Sequence, residues 1–257
     1  MNKLRIGILG VGSIGKTITL RLAAAGHTVE VANSGDPKTV SHDVLATGAK
    51  AGWTENVVKD KDVLILSIPF FKIPALKPLI ASVSKDTVLI DTSNYYPGKE
   101  GYYQGRDPKI EGLDKTIPET QWVEEQLDHP VVKAWNNILA ETLLKKNQPK
   151  SHSERLAIAI AADRPHDLEV ASELVELTGF DAFHTGSIAD SWRQQPGAPA
   201  YCTDMKACDL PEALAAAERS RLPARRDLAM AVIEERLSDG TSTLPAGYIA
   251  SLNKVLY

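Results

Sequence analysis

Cysteine is scarce in this chain: Cys202 and Cys208 are two residues in 257. That is too few for a disulfide framework. The histidines His27, His42, His129, His152, His166 and His184 are scattered and form no HxxxH or HExxH pattern. The sequence therefore calls for no metal. Long apolar runs are also missing, and none approaches the roughly 20 residues of a membrane span. The first residues, MNKLRIG, enter a strand at once, so no secretory signal is expected, no membrane partner, and a cytoplasmic location. Neither charge sign dominates: Lys+Arg number 29 against Asp+Glu 33, a net charge of −4, which excludes a global basic field for nucleic acid. No internal repeat is visible.

What is present is concentrated at residues 4–25, LRIGILGVGSIGKTITLRLAAA. Leu4, Ile6, Ile8 and Leu9 form a short apolar run suited to a strand covered on both faces. Gly10, Gly12 and Gly15 then spell G-x-G-x-x-G, and Ile14, Ile18, Leu22 and Ala25 recur at helical spacing. Gly26 stands where a helix C-terminus wants a left-handed residue. In such a turn Gly10 allows a tight exit from the strand, Gly12 lets a pyrophosphate approach the backbone, and Gly15 lets the helix pack on the sheet. The helix N-terminus would offer N–H groups and a positive dipole end to phosphates. Position between a strand and a helix, with a second strand at 27–33, makes this a dinucleotide signal rather than a chance glycine pattern.

Further strands are predicted at 50–53, 63–68, 88–91, 131–135, 155–162 and 180–183. Helical stretches are predicted at 54–60, with Thr54 as N-cap, and at 73–83, where Pro78 should kink or fray the helix. Others fall at 119–127, 139–146 and 167–178. This alternation predicts an α/β fold, a doubly wound, mostly parallel Rossmann-type sheet with helices on both faces. Residues 98–118 make a connection long enough to suggest a lid. The pattern changes near Gly186. The expected division is an NADP(H)-binding domain over 1–186 and a C-terminal loop and helical segment over 187–257, substrate-side and dimer-forming. A helix broken near Pro223 is expected over 210–237. Its Leu214, Leu222, Leu228, Met230, Val232 and Ile233 are more apolar surface than a short appendage would bury alone, hence an expected homodimer.

Ligands of open α/β sheets bind beyond the carboxyl ends of the strands. Those ends read Gly10–Gly15, Asn33–Ser34, Ser67–Ile68–Pro69, Thr92–Ser93–Asn94, Trp135–Asn136–Asn137 and Gly186–Ser187. Asn33, Ser34 and Lys38 stand where an NAD enzyme carries an acid for the ribose, which favours NADP(H); Asp36 and the lack of an arginine count against it. The segments GILGVGSIGKTITLRLAAAGHTVEVANS, VLILSIPF, VLIDTSNYYPG and above all PVVKAWNNILAETL resemble the deazaflavin-dependent NADP reductase family, from Leu4 to about Gly186. The resemblance implies NADPH binding and direct hydride exchange with a flat second cofactor, a deazaflavin or flavin, or with a small-molecule acceptor. It implies that Val11, Gly12, Ser13 and Ile14 line the pyrophosphate turn, that Asn33, Ser34 and Lys38 surround the 2′-phosphate, that Ile68 and Pro69 flank the dinucleotide, and that Asn136, Asn137, Ile138 and Ala140 lie near the nicotinamide.

Hydride transfer between two rings needs orientation more than an acid or base. A ketone or imine acceptor would need a proton donor, and Tyr95, Tyr96, Tyr201, Lys133 and Asp204 are the candidates. Residues 191–201, SWRQQPGAPAY, are the substrate-side candidate: Trp192 could stack, Arg193 could bind charge, and Gln194 could hydrogen-bond. Arg193, Tyr201 and Asn136 are the catalytic candidates. Arg219, Arg221, Arg225 and Arg226 read as a solvated helix face. Two other readings stand beside the reductase. One is a ketone- or imine-reducing enzyme of the β-hydroxyacid dehydrogenase type. The other is a non-catalytic NADPH-sensing module.

Overall fold

The structure, a computed structural model, describes residues 3–98, 107–113 and 115–257. Much of the connection expected to act as a lid therefore lies outside the described residues. The strands are β1 (Arg5–Leu9), β2 (Thr28–Ala32), β3 (Lys50–Ala51), β4 (Val63–Leu66), β5 (Val88–Asp91), β6 (Val131–Lys133), β7 (Ala157–Ala161) and β8 (Asp181–Gly186). The helices are α1 (Ser13–Ala24), α2 (His42–Leu45), α3 (Thr54–Val57), α4 (Lys77–Ile80), α5 (Glu119–Leu127), α6 (Ala140–Lys145), α7 (Pro165–Leu177), α8 (Leu210–Ala215), α9 (Leu222–Leu237) and α10 (Tyr248–Leu256).

All eight strands form one sheet in the order β3-β2-β1-β4-β5-β6-β7-β8. Chain order reverses between β1 and β4, the switch point at which a crevice opens in doubly wound sheets. Pleating sends alternate residues to two cores. Ile6, Ile8, Val63, Ile65, Val88 and Ile90 pack with Ile18, Leu22 and Leu174 on one face. Leu9, Leu64, Leu66 and Leu89 pack with Phe70, Trp122 and Val123 on the other. A strand covered on both faces needs no polar residue, which is why β4 reads VLIL.

The sheet is mostly parallel, as expected, with one reversal. β6 pairs with β7 antiparallel through Lys133↔Ala161, and β8 runs parallel to β7. The amino-terminal parts of β7 and β8 therefore project past the carboxyl ends of the other six strands and make a wall there. The segment leaving β8 starts from a strand running against β1–β6. It reaches the cleft because a 3₁₀ turn over Ile188–Gln194 doubles back toward Asn136.

Several local expectations change. Trp53, not Thr54, precedes α3, without a side-chain cap. The 73–83 helix is a 3₁₀ turn, Phe70–Leu76, running into the short α4, with Pro78 in its first turn, where a missing N–H costs nothing. The break in the 210–237 stretch falls before Leu222, and Pro223 opens α9 rather than interrupting it. α10 was not expected at all. Residues 187–257 do not build a separate core. Their Leu210 and Leu214 pack with Ala157 and Phe183, and their Leu222 and Tyr257 belong to a cluster with Tyr96 and Leu139.

Candidate functional site

The glycine turn shows three different demands. A Cβ on Gly10, where φ is +92°, would lie 2.1 Å from the Ser67 carbonyl oxygen, and one on Gly15 would lie 2.0 Å from the Gly10 carbonyl oxygen. Both glycines are required by the chain's own packing. Gly12 is different. Its φ of −68° suits any residue, and a Cβ there meets nothing within 4 Å. The chain's own packing does not require glycine at that point, and the space beside it is open. Gly12 also caps α1, whose first turn holds no acidic side chain. The free N–H groups and the positive dipole end of this twelve-residue helix open onto the same space. A pyrophosphate fits this cradle.

At the end of β2, Asn33 Oδ1 accepts a hydrogen bond from the Val11 N–H at 3.0 Å. Asn33 thus locks the glycine turn to the neighbouring strand, a positioning role its sequence position did not reveal. Ser34 and Lys38 are exposed beside it. Asp36 turns its Oδ1 onto the Lys38 N–H at 2.9 Å. Lys16 pairs with Asp43, which holds that exposed carboxylate down at about 2.

Under the middle of the cleft lies a buried ion pair. Lys133 Nζ is 2.6 Å from Asp91 Oδ2, and both side chains are fully buried. Asp91 Oδ1 accepts from the Ser93 hydroxyl at 2.6 Å and its N–H at 3.0 Å, and Lys133 also donates to the Ser93 carbonyl. The pair shapes the Thr92–Asn94 turn and does not reach the cleft.

A cavity of about 240 Å³ continues the cleft at the carboxyl ends of β5 and β6. Ile14, Thr92, Asn94, Asn136, Ile138 and Ala140 line its Rossmann side. Met230 and Ile233 of α9, and Ile249, Asn253 and Tyr257 at the C-terminal end, close the other. The sequence reading missed this lid, although Ile249, Leu252 and Leu256 at helical spacing would have marked α10. Two non-glycine residues with left-handed backbone sit on the cavity wall, Trp135 at φ 56° and Cys202 at φ 52°. Each such conformation costs on the order of 1–3 kcal/mol and persists where the surroundings fix it. Here the Trp135 indole N–H donates to Thr178 Oγ1 at 3.2 Å, and the Cys202 N–H donates to the Asn137 carbonyl at 2.9 Å.

Asn136 is built into the wall. Its Nδ2 donates to Asn94 Oδ1 at 3.0 Å and to the Gln194 carbonyl at 2.8 Å, and its Oδ1 accepts from Gln194 Nε2 at 2.9 Å. Asn137 donates to the Ala200 carbonyl at 3.3 Å. The structure thus joins Asn136 to Gln194, with both amides engaged in framing the cavity. Gln194 is fully buried, donating also to Ala159 O and accepting from Thr185. Arg193 and Trp192 do not line this cavity. The Arg193 guanidinium donates to the Leu214 carbonyl at 3.0 Å and lies 4.3 Å from the Trp192 ring centre. Trp192 faces a small neighbouring hollow with Glu119, Gln195 and Arg219.

Glu119 in that hollow is 2% exposed, its Oε2 has no hydrogen-bond partner among the described residues, and burial pushes its carboxyl up to about 7. The arginine cluster does not form one solvated face. Arg219 donates to Thr116 O and Arg221 pairs with Glu218, but Arg226 is 4% exposed, lines both hollows and lies over the Tyr95 ring. Among the described residues no group of three His, Cys, Asp or Glu side chains could hold a metal ion. No described helix is long and apolar enough to cross a membrane.

Sheet order, glycine turn and strand-end cleft define a Rossmann-type dinucleotide-binding protein. The model of the family described as NADP oxidoreductase, coenzyme F420-dependent, matches residues 5–95, from β1 to the turn after β5. The resemblance read from the sequence is shown over that stretch. The Escherichia coli (strain K12) protein YjhV is 46% identical over 79 residues, which are 29% of this chain and 58% of that protein. The match therefore spans little more than half the length of this relative. The Sinorhizobium meliloti protein SMa0349 shares the fold at a TM-score of 0.65 and 24% identity, over 80% of this chain and 96% of that one. A candidate F420-dependent NADP reductase from Arthrobacter sp. FB24 does so at 0.55 and 18%, over 73% and 87%. At these identities the two structures speak for fold.

Proposed function

We propose that this chain is an NADP-dependent oxidoreductase that passes a hydride between the nicotinamide and a second substrate seated in the cavity under α9 and α10. The observation that carries the reading is Gly12: a glycine that the chain itself does not require, at the mouth of a long helix, in a stretch matching NADP oxidoreductases. Gly10–Gly15 would hold the pyrophosphate, with Val11 and Ile14 beside it. Asn33, Ser34 and Lys38 would face the adenosine 2′-phosphate. Ser67, Ile68 and Pro69 would flank the dinucleotide. Asn94, Asn136, Ile138 and Ala140 would bound the nicotinamide, with Asn137 bracing that wall from behind. The cofactor, when bound, supplies or accepts the hydride. The residues around it fix its orientation and keep water away, which is most of what direct hydride transfer asks of a protein. Calorimetric titration with NADPH and NADH, followed by turnover with flavins, deazaflavins, quinones and small carbonyls, tests the proposal. Micromolar NADPH binding with turnover of at least one acceptor supports it, and absence of NADPH binding overturns it.

A further inference from the structure

The polar groups around the cavity can be sorted by whether their hydrogen bonds are already used. Asn136 is saturated by Asn94 and Gln194. Asn253 Nδ2 is spent on the Tyr201 and Cys202 carbonyls. Thr92 donates to the Leu66 carbonyl. The other proton-donor candidates are spent too. Tyr95 Oη accepts from the Ile110 N–H and is 3.3 Å from Pro108 O, Lys133 is locked to Asp91, and Asp204 is held by Thr142 and Lys146. Three phenols line the cavity, Tyr96, Tyr201 and Tyr257, and two of them form a pair. Tyr96 Oη and Tyr201 Oη lie 2.6 Å apart, and both residues line the cavity. Two phenols carry two protons, and one bond between them uses one. The second proton is left for the neighbouring Cys202 sulfur, a weak acceptor, or for a ligand in the cavity.

Resting on the oxidoreductase reading, we propose that the second substrate is a small carbonyl or imine compound with an apolar body, whose oxygen or nitrogen takes a hydrogen bond and then a proton from the Tyr96–Tyr201 pair. Size agrees, since a cavity of about 240 Å³ accommodates a small compound. Leu139, Ala229, Met230, Ile233 and Ile249 add an apolar stretch of wall that suits a short alkyl body, beside the buried Arg226. Burial raises both phenols well above their usual value, so both are protonated at neutral pH. In the step, the carbonyl carbon gains the hydride supplied by NADPH, the π pair moves to oxygen, and that oxygen takes the phenolic proton. The tyrosinate is reprotonated from solvent through its partner hydroxyl. The products are the alcohol, or the amine from an imine, and NADP⁺.

The test uses the full chain, Tyr96→Phe, Tyr201→Phe and the double variant. NADPH affinity by calorimetry reports on the cofactor site alone. Isobutyramide, which accepts the same hydrogen bond but takes no hydride, reports on the carbonyl site with NADP⁺ present. The expected result is turnover of butanone or isobutyraldehyde, NADPH affinity within about twofold in every variant, and isobutyramide affinity at least about tenfold weaker in the double variant. Carbonyl turnover in the double variant should fall by about 100-fold or more. Failure of NADPH to bind the unmodified chain would remove the oxidoreductase reading itself. Turnover of a flavin or deazaflavin with none of any carbonyl or imine would keep that reading and overturn this one. Isobutyramide binding and carbonyl turnover unchanged in the double variant would also overturn it.

Discussion

A Cβ on Gly12 would project into space that holds no protein atom, so substitution there separates the needs of the fold from those of the ligand. Gly12→Val is expected to fold with a melting temperature within about 4 °C of the parent, since nothing obstructs the new side chain and valine at the N-cap of α1 costs on the order of 1 kcal/mol. NADPH affinity should fall at least about tenfold, because the new methyls fill the pyrophosphate cradle. Thermal melting and calorimetry check the two halves, and normal NADPH binding by the folded variant would move the cofactor elsewhere. Glu119 offers a second single-residue test, this time of stability. Burial raises its carboxyl from 4.5 to about 7 in the folded chain. The folded form therefore binds the proton more tightly than the unfolded one. Its stabilising contribution is complete below about pH 4.5 and is lost as pH climbs through about 7. Glu119→Gln is neutral at every pH and should escape that loss. Its melting temperature should match the parent near pH 4.5 and exceed it near pH 8, by an amount worth at most about 3 kcal/mol. A difference independent of pH would mean that the folded and unfolded chains hold this proton equally.

At the scale of elements, legibility tracked how local the cause was. β1, the glycine turn and α1 were readable because each step depends on adjacent residues: an apolar run, three glycines with distinct steric roles, an apolar stripe. The strand-end residues of the Rossmann half were readable for the same reason, and the structure brings Ile14, Asn94, Asn136, Ile138 and Ala140 to one cavity. The reversal of β7 and β8 was not readable, since RLAIAIAA has the same periodicity in either direction and only tertiary pairing sets it. Of the 191–201 segment, expected on the substrate side, Tyr201 lines the cavity and Trp192 and Arg193 do not. Its Arg193 is held by the Leu214 carbonyl, a partner about twenty positions away that sequence spacing does not advertise. The turn after β2 carries the specificity argument at this scale. Asn33 is committed through its Oδ1 to the Val11 N–H, which leaves Ser34 and Lys38 as the exposed donors for a 2′-phosphate. Lys38→Ala should weaken NADPH by about fivefold or more, on the order of 1 kcal/mol for one partly exposed charge-assisted contact, and leave NADH unchanged. Equal losses for the two cofactors, measured by calorimetry, would mean that Lys38 acts on the turn rather than on the phosphate.

The whole molecule is closed by its C-terminal segment. Leu214, Leu222 and Ile233, which suggested a dimer when read as unpartnered apolar surface, are 7%, 6% and 3% exposed within this one chain, and Met230 faces the cavity. The chain itself buries much of the apolar surface from which a second copy was expected, and Leu228 stays 51% exposed. This arrangement also makes the cavity a joint between the Rossmann half and α9–α10, since residues from both sides line it. A ligand bridging that joint must stabilise the chain as a unit, by RT ln(1 + [L]/Kd) for a species that binds only the folded state. At a hundredfold excess over Kd this is about 2.7 kcal/mol, which for a chain of this size corresponds to roughly 5–10 °C in melting temperature. NADPH is therefore expected to raise the melting temperature by that amount in a single cooperative transition, and NADH at the same concentration by less. Gly12→Val, with its affinity at least about tenfold weaker, should show no more than about half that rise. If instead NADPH shifts only the earlier of two resolved transitions, the C-terminal segment is not coupled to the cofactor, and the cavity between the two halves cannot be where the second substrate meets the nicotinamide.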